Sequence, residues 1–164
     1  MTTMEEYAKQ SVPQRLERLA RTADELAGTI RGQSETTLAR RPDATNWAAK
    51  EVICHLRDTE ELFAGRFELI LSMQDPKLPG FGPPDRWAEE RQYLRNDAGE
   101  ALAAFRLRRQ DTLGFLRTLA PSDLQRAGLH ASRGRMTVDD FITLMAWHDD
   151  NHLEQLGRAL QGKV

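Results

Sequence analysis

The chain has 164 residues, 40% of them hydrophobic and 29% charged, a length and mix expected of one globular domain over 1–164 and not of a disordered chain. Lys+Arg 23 against Asp+Glu 25 leaves a net charge of -2, which offers no general attraction to nucleic acid or to an anionic membrane. No apolar run approaches the roughly 20 residues needed to span a bilayer, and the opening MTTMEEYAKQ has no signal-peptide core.

The elements read as helices throughout. Leu16, Leu19, Ala20, Ala23, Leu26, Ala27 and Ile30 recur at three- and four-residue steps, which is one face of a helix. Pro13 suits its first turn and Gly32 its end. A second helix is expected from about Trp47 to Leu71, with Val52, Leu56, Thr59, Phe63 and Ile70 as its inner stripe. The connection 72–96 that follows holds Pro76, Pro79, Gly80, Gly82, Pro83 and Pro84, and its tail DRWAEERQY reads as a short helix. Asp97 and Glu100 stand in capping-box spacing ahead of a third helix through Leu102, Phe105, Leu113 and Leu116, ended by Pro121. A fourth opens at Thr137, with Asp140 three residues on, and runs to about Leu160.

Nothing alternates with period two for long enough to predict a strand. Four long amphipathic helices pack most simply as an all-α four-helix bundle. The long connection predicts a crossover loop between helices 2 and 3, which therefore need not be antiparallel neighbours. Long loops in compact domains are also more often functional than short ones.

The chemistry concentrates in AWHDDNHLEQL on the fourth helix. His148 and His152 fall in the stripe Phe141, Leu144, Met145, Leu156 and Ala159, so both imidazoles are predicted to point inward. Asp149 and Asp150 are expected to turn outward. Buried imidazoles left unpaired cost about 1–3 kcal/mol each, and two at this spacing match the way one helix offers two nitrogens to one metal. His55, in EVICHLRDTE, is placed to complete the set if helices 2 and 4 are neighbours. Three protein ligands with one open position is the pattern of catalytic zinc, and imidazole also suits nickel, iron and cobalt. Spacing alone leaves this reading level with one of three hydrogen-bonded core histidines.

The segment NWAAKEVICHLRDTEELFAGRF resembles the W-x-x-x-E-V-x-x-H-L-x-D-x-E signature of the DinB/YfiT-like superfamily. The resemblance continues at Pro76, Pro79, Phe81, Trp87 and Ala88, then at Gly128, His130, Gly134 and Thr137, and ends at His148, Asp149, His152, Leu153 and Gln155. It covers most of the chain from Trp47 onward, in the family's order. It implies a four-helix bundle, commonly a homodimer, with a divalent metal held by His55, His148 and His152. Zinc or nickel is the expected ion, with iron, cobalt or manganese as alternatives. The family includes transferases and isomerases that use a low-molecular-weight thiol, and many proteins described only as metal-dependent hydrolases. One departure is Ala48, where the family often has Ser or Thr; alanine cannot cap the second helix.

Other residues have two readings each. Gln155 and Asn151 follow His152 and His148 by three and are candidates to orient a bound water or ligand, or are plain buried polar partners. Glu51 and Asp58 are candidates for contact with the imidazoles, against a role in a helix cap or a surface ion pair. Arg66 is a candidate for an anionic substrate at the cavity mouth, against pairing with the loop. His130 reads as a turn residue, Trp47 and Trp87 as packing anchors, and the cluster Arg106, Arg108 and Arg109 as a solvated helix face. Cys54 sits about 100° round the helix from His55 and reads as a small buried residue. As the lone cysteine it cannot make an internal disulfide, which predicts a reducing, cytoplasmic setting.

Two functional classes follow. One is an enzyme in which a metal lowers the pKa of water or of a thiol cosubstrate for attack on a small molecule. The other is a non-catalytic, stress-related bundle whose metal or ligand is only held. HDDNH matches the zincin HExxH spacing with Asp149 in place of Glu, but an outward Asp149 disfavours a protease. A ferritin-like di-iron site is disfavoured because no His has a Glu three residues before it.

Overall fold

The computed structural model describes residues 1–80 and 82–164; Phe81 of the motif above lies outside the described residues. The helices are α1 (Met4–Ala8), α2 (Val12–Ile30), α3 (Glu35–Ala39), α4 (Ala49–Ser72), α5 (Pro84–Glu90), α6 (Ala98–Leu116), α7 (Pro121–Leu124) and α8 (Val138–Leu160). A short 3-10 turn spans Tyr93–Arg95, and two strands, β1 (Ala127–His130) and β2 (Gly134–Thr137), precede α8.

The ends of the four long helices are set by local chemistry. Ser11 and Gln14 bond reciprocally at the start of α2, with Pro13 in its first turn. Past its end, Gly32 takes a left-handed φ of 74°, which a residue with a Cβ adopts at a cost. The Asp97 carboxylate accepts from Glu100 N–H at 2.8 Å to open α6. Thr137 and Asp140 form a capping box at α8. At α4 the N-cap is Ala48, which has no side-chain bond to give. Glu51 supplies half of the box, accepting from Ala48 N–H at 2.9 Å.

The long helices are neighbours in the pairs α2–α8, α8–α4, α4–α6 and α6–α2. Arg57 meets Asn96 just before α6, Glu61 meets Arg108, and Glu68 shares a groove with Phe115. Positions on α4 and α6 thus advance together, and the two helices run parallel. Arg15 pairs with Asp139 and Thr22 with Asp149, so α2 and α8 also run parallel. Leu19 meets Arg109 and Asp24 meets Arg106, which makes α2 and α6 antiparallel. The bundle is therefore up, down, down, up in chain order. Parallel neighbours cannot be joined by a tight turn, and 25 residues separate α4 from α6.

The strands depart from the all-helical expectation. β1 and β2 form an antiparallel hairpin pairing Ala127 with Thr137 and His130 with Gly134, and Gly134 supplies the positive φ, 74°, that the turn requires. Leu78 N–H donates to Leu129 O at 2.9 Å, and Leu129 N–H to Pro76 O at 2.8 Å. Strands of four residues, stabilised by a proline-rich loop from elsewhere in the chain, carry too short an alternation to be read from sequence.

Apolar side chains gather in two clusters. One contains Leu26, Val52, Ile53, Leu56, Phe105 and Leu156; the other contains Leu19, Phe63, Phe67, Ile70, Phe141 and Met145. Between them, along α4, α6 and α8, lies a buried polar layer. Arg109 is 3% exposed, and Glu60 and Asp149 1% each. The Arg109 guanidinium donates to both carboxylates of Glu60 and Asp149 at 2.6–3.1 Å and to Leu19 O at 2.9 Å. Thr22 donates to Asp149 at 2.5 Å.

This layer corrects two expectations. Asp149 faces inward, because the bundle interior provides a guanidinium and a hydroxyl for it. Arg109 is no part of a solvated basic face; Arg106 and Arg108 pair with Asp24 and Glu61 instead. Asp150 is half-buried, accepting from Tyr7 Oη at 2.6 Å and Arg18 Nε at 2.8 Å. Burial opposes the charge on Arg109, but the two carboxylates outweigh it and raise its pKa.

Candidate metal centre

α4 and α8 cross with His55 facing His148 and His152. The residues on both sides of these histidines are apolar and buried, which holds the two helices in register: Val52, Leu56 and Phe63 on α4 and Met145 and Leu156 on α8. His148 Nε2 lies 3.2 Å from His55 Nε2 and 3.1 Å from His152 Nε2. All three can place a ring nitrogen in one small cluster, and His55 is buried while the other two are partly buried.

The donor set fits a metal. Two nitrogens on tetrahedral zinc at about 2.0–2.1 Å stand about 3.3 Å apart, close to the separations found here. His152 Nδ1 lies 2.8 Å from Gln155 Oε1, and an amide oxygen only accepts. The hydrogen therefore resides on Nδ1, leaving the Nε2 lone pair directed at the other two rings.

Electrostatics favour the neutral, ligating form of each ring. Burial, then the charge of His152, pushes His55 down to about 3. His148 is driven far below its ordinary value by burial and by His152, His55 and Arg109. His152 is lowered by burial, partly offset by Gln155 and Asp149.

The rings have an aromatic frame. Trp47 packs 4.9 Å from His55 and lies nearly parallel to His152, 13° and 6.5 Å away. Phe63 meets His148 edge-on at 5.8 Å. The histidines form one side of a cavity of about 390 Å³, whose other walls are Thr45, Asn46, Trp47, Pro84, Asp85 and Gln155. Trp47 Nε1 donates to Asp85 Oδ1 at 2.8 Å, which ties the residues ahead of α4 to α5 in the long loop.

Of the other residues singled out in the sequence, Gln155 reaches the imidazoles. Glu51 caps α4 and pairs with Arg41 at 2.5 Å and 2.8 Å. Asp58 is held by Arg57 at 2.7 Å, Arg91 at 2.8 Å and Tyr93 Oη at 2.7 Å. Asn151 donates to Trp147 O at 2.9 Å. Arg66 donates to Pro79 O through Nε at 3.1 Å and Nη2 at 3.0 Å, and lies 5.5 Å from the Phe141 ring. These four hold secondary structure and the loop in place. His130 lies in β1, its Nδ1 accepting from Ser132 and Arg133 N–H. Cys54 is buried, and burial pushes its thiol up to about 11.

Sequence reasoning missed Asn46 and Asp85 as cavity residues and treated Trp47 as packing alone. Adjacency of Trp47 to the α4 N-terminus was the available signal for one of them. Asp85 had none, since its place depends on how the loop folds back.

The fold and site together define a four-helix bundle with an interior histidine triad at the floor of a cavity. The chain matches the DinB superfamily over residues 6–156 and belongs to it. It is 26% identical over 110 residues to a protein of Oceanobacillus iheyensis named "Putative metal-dependent hydrolase OB0782", covering 67% of this chain and 63% of that relative, so it spans less than two thirds of that protein's length. A second protein from this organism, "Putative metal-dependent hydrolase OB0413", is 22% identical over 136 residues, covering 82% of this chain and 77% of the relative. YfiT from Bacillus subtilis, described with its structure as having "an unusual four-helix bundle topology", superposes with a TM-score of 0.85 at 18% identity over 98% of this chain and 89% of that one. That likeness shows the fold. Among the described residues no helix is long and apolar enough to cross a membrane.

Proposed function

We propose that this chain is a divalent-metal-dependent enzyme in which His55, His148 and His152 hold the ion and a small molecule reacts in the cavity above it. The observation that carries the reading is the convergence of three ring nitrogens, 3.1–3.2 Å apart about His148 Nε2, on a cavity floor. A purely structural histidine cluster has no need of an open side. The named functions of the Oceanobacillus iheyensis relatives support the reading. A bound ion supplies Lewis acidity, lowering the pKa of a coordinated water or thiol.

The chain's own residues prepare the site. Gln155 holds the His152 tautomer, Trp47 and Phe63 limit ring motion, and burial keeps all three imidazoles neutral. Asp149, which the HDDNH spacing offers as a zincin-like base, is committed to Arg109 and Thr22. The cavity carboxylate Asp85 has one oxygen accepting from Trp47. With Asp149 withheld from the histidines, transfer to a thiol cosubstrate, whose own sulfur is the nucleophile, is favoured over hydrolysis. Zinc or nickel suits the all-nitrogen donor set. A cytoplasmic homodimer is the accompanying proposal, supported by the family resemblance and the single cysteine.

Purified protein is expected to carry about one divalent ion per chain by elemental analysis, and His148→Ala to carry none. Substrate panels run with and without added thiol then separate transferase from hydrolase. Protein whose ion content is unaffected by His148→Ala overturns the proposal.

A further inference from the structure

We infer that Asp85 makes this cavity selective for substrates bearing an ammonium or similar cationic group beside the atom that faces the histidines. The inference rests on the metal reading proposed above. Apart from the histidines, the described cavity walls offer a hydroxyl, two amides, an indole and a proline, with Asp85 as their one carboxylate and neither Lys nor Arg.

One contact orients that carboxylate although the residue is exposed, and among the described residues no ion pair occupies it. Trp47 Nε1 holds Oδ1 at 2.8 Å, which orients the group and leaves Oδ2 to accept from a ligand. Among the described residues no Lys or Arg nitrogen stands within ion-pair distance of Asp85, while Arg41 nearby is gripped in a fork by the buried Glu51 at 2.5 Å and 2.8 Å. A ligand carboxylate would therefore meet Asp85 with only Arg41, whose charge also reaches Asp85 but whose hydrogen bonds go to Glu51, to offset the repulsion. An ammonium would find an oriented, charged acceptor at the edge of the indole. For a thiol nucleophile this selects an aminothiol over a carboxylated one.

The test uses full-length protein loaded with Co(II), whose visible bands report ligand geometry and whose near-ultraviolet sulfur-to-metal absorption reports thiol binding. Three thiols of similar size are titrated: cysteamine (cationic), 2-mercaptoethanol (neutral) and 3-mercaptopropionate (anionic). Each is compared between wild type and Asp85→Asn, because that ratio cancels intrinsic differences in thiol acidity and chelation. Asparagine keeps an acceptor for Trp47, so the wall is retained. Asp85→Asn is expected to weaken cysteamine about fivefold, the size of a ~1 kcal/mol ion pair, to leave 2-mercaptoethanol unchanged and to tighten 3-mercaptopropionate. Equal changes for all three thiols, or none, overturn the charge selection while leaving the metal reading standing. Failure of wild type to show Co(II) bands that vanish in His148→Ala overturns the metal reading, and this inference with it.

Discussion

Arg109 grips Asp149 through Nη1 to Oδ2 at 2.6 Å and Nη2 to Oδ1 at 3.1 Å, one residue along α8 from His148. Neighbouring residues on α8 thus serve two interior layers: His148 faces α4 and the cavity, and Asp149 faces α2 and α6. A carboxylate so bound cannot swing to the cavity, and its charge is spent on the guanidinium.

Asp149→Ala is expected to destabilise the fold by about 3 kcal/mol, the lower end for breaking a buried ion pair, because Glu60 continues to hold Arg109. Urea unfolding measures this. A loss under about 0.5 kcal/mol, as for an exposed pair, contradicts the buried arrangement.

Chelation should lower the melting temperature of metal-loaded protein, and restoring the ion at a free concentration of 100 Kd should return about 2.7 kcal/mol. His55→Ala is expected to abolish this dependence. If calorimetry finds the same response to added Zn(II) in His55→Ala and in wild type, the ion binds elsewhere.

Gln155→Ala removes the acceptor 2.8 Å from His152 Nδ1 and frees the other tautomer. Metal affinity should fall about tenfold, with little change in the metal-free protein's stability because Gln155 is only half-buried. Competition against a chromophoric chelator reads the affinity; an unchanged Kd argues that the tautomer is held by other means.

Asp58 gives the pH dependence. Burial alone would raise its pKa, but hydrogen bonds from Arg57, Tyr93 and Arg91 outweigh this and hold it below the ordinary 3.8. A depressed folded pKa contributes stability that is fully present above the unfolded value, about 3.9, and is lost as pH falls through the folded one. Asp58→Asn should therefore be less stable than wild type at neutral pH, with the gap narrowing below about pH 4. A gap that stays constant down to pH 2 would show that Asp58 does not titrate in the folded protein.

Much of this was legible in sequence. The caps at Asp97 and Thr137 announce α6 and α8, because a short polar side chain three residues from its partner bonds the first free N–H groups whatever the rest of the chain does. The inward pairing of His148 and His152 follows from helix periodicity alone. The hairpin at 127–137 was not legible, since half of its support comes from Pro76 and Leu78.

The sequence by itself determined the helices, the apolar stripes and the histidines set into them, because these depend on interactions within a few residues. Tertiary structure decided what the polar residues do. Asp149 looked solvent-facing until α2 and α6 brought Thr22 and Arg109 to it, and Asp85 had no assigned place until the long loop carried it beside Trp47. A charge is placed by whichever partner the packing supplies, and that partner lies 40 residues away for Asp149 and 38 for Asp85, beyond what any local pattern encodes.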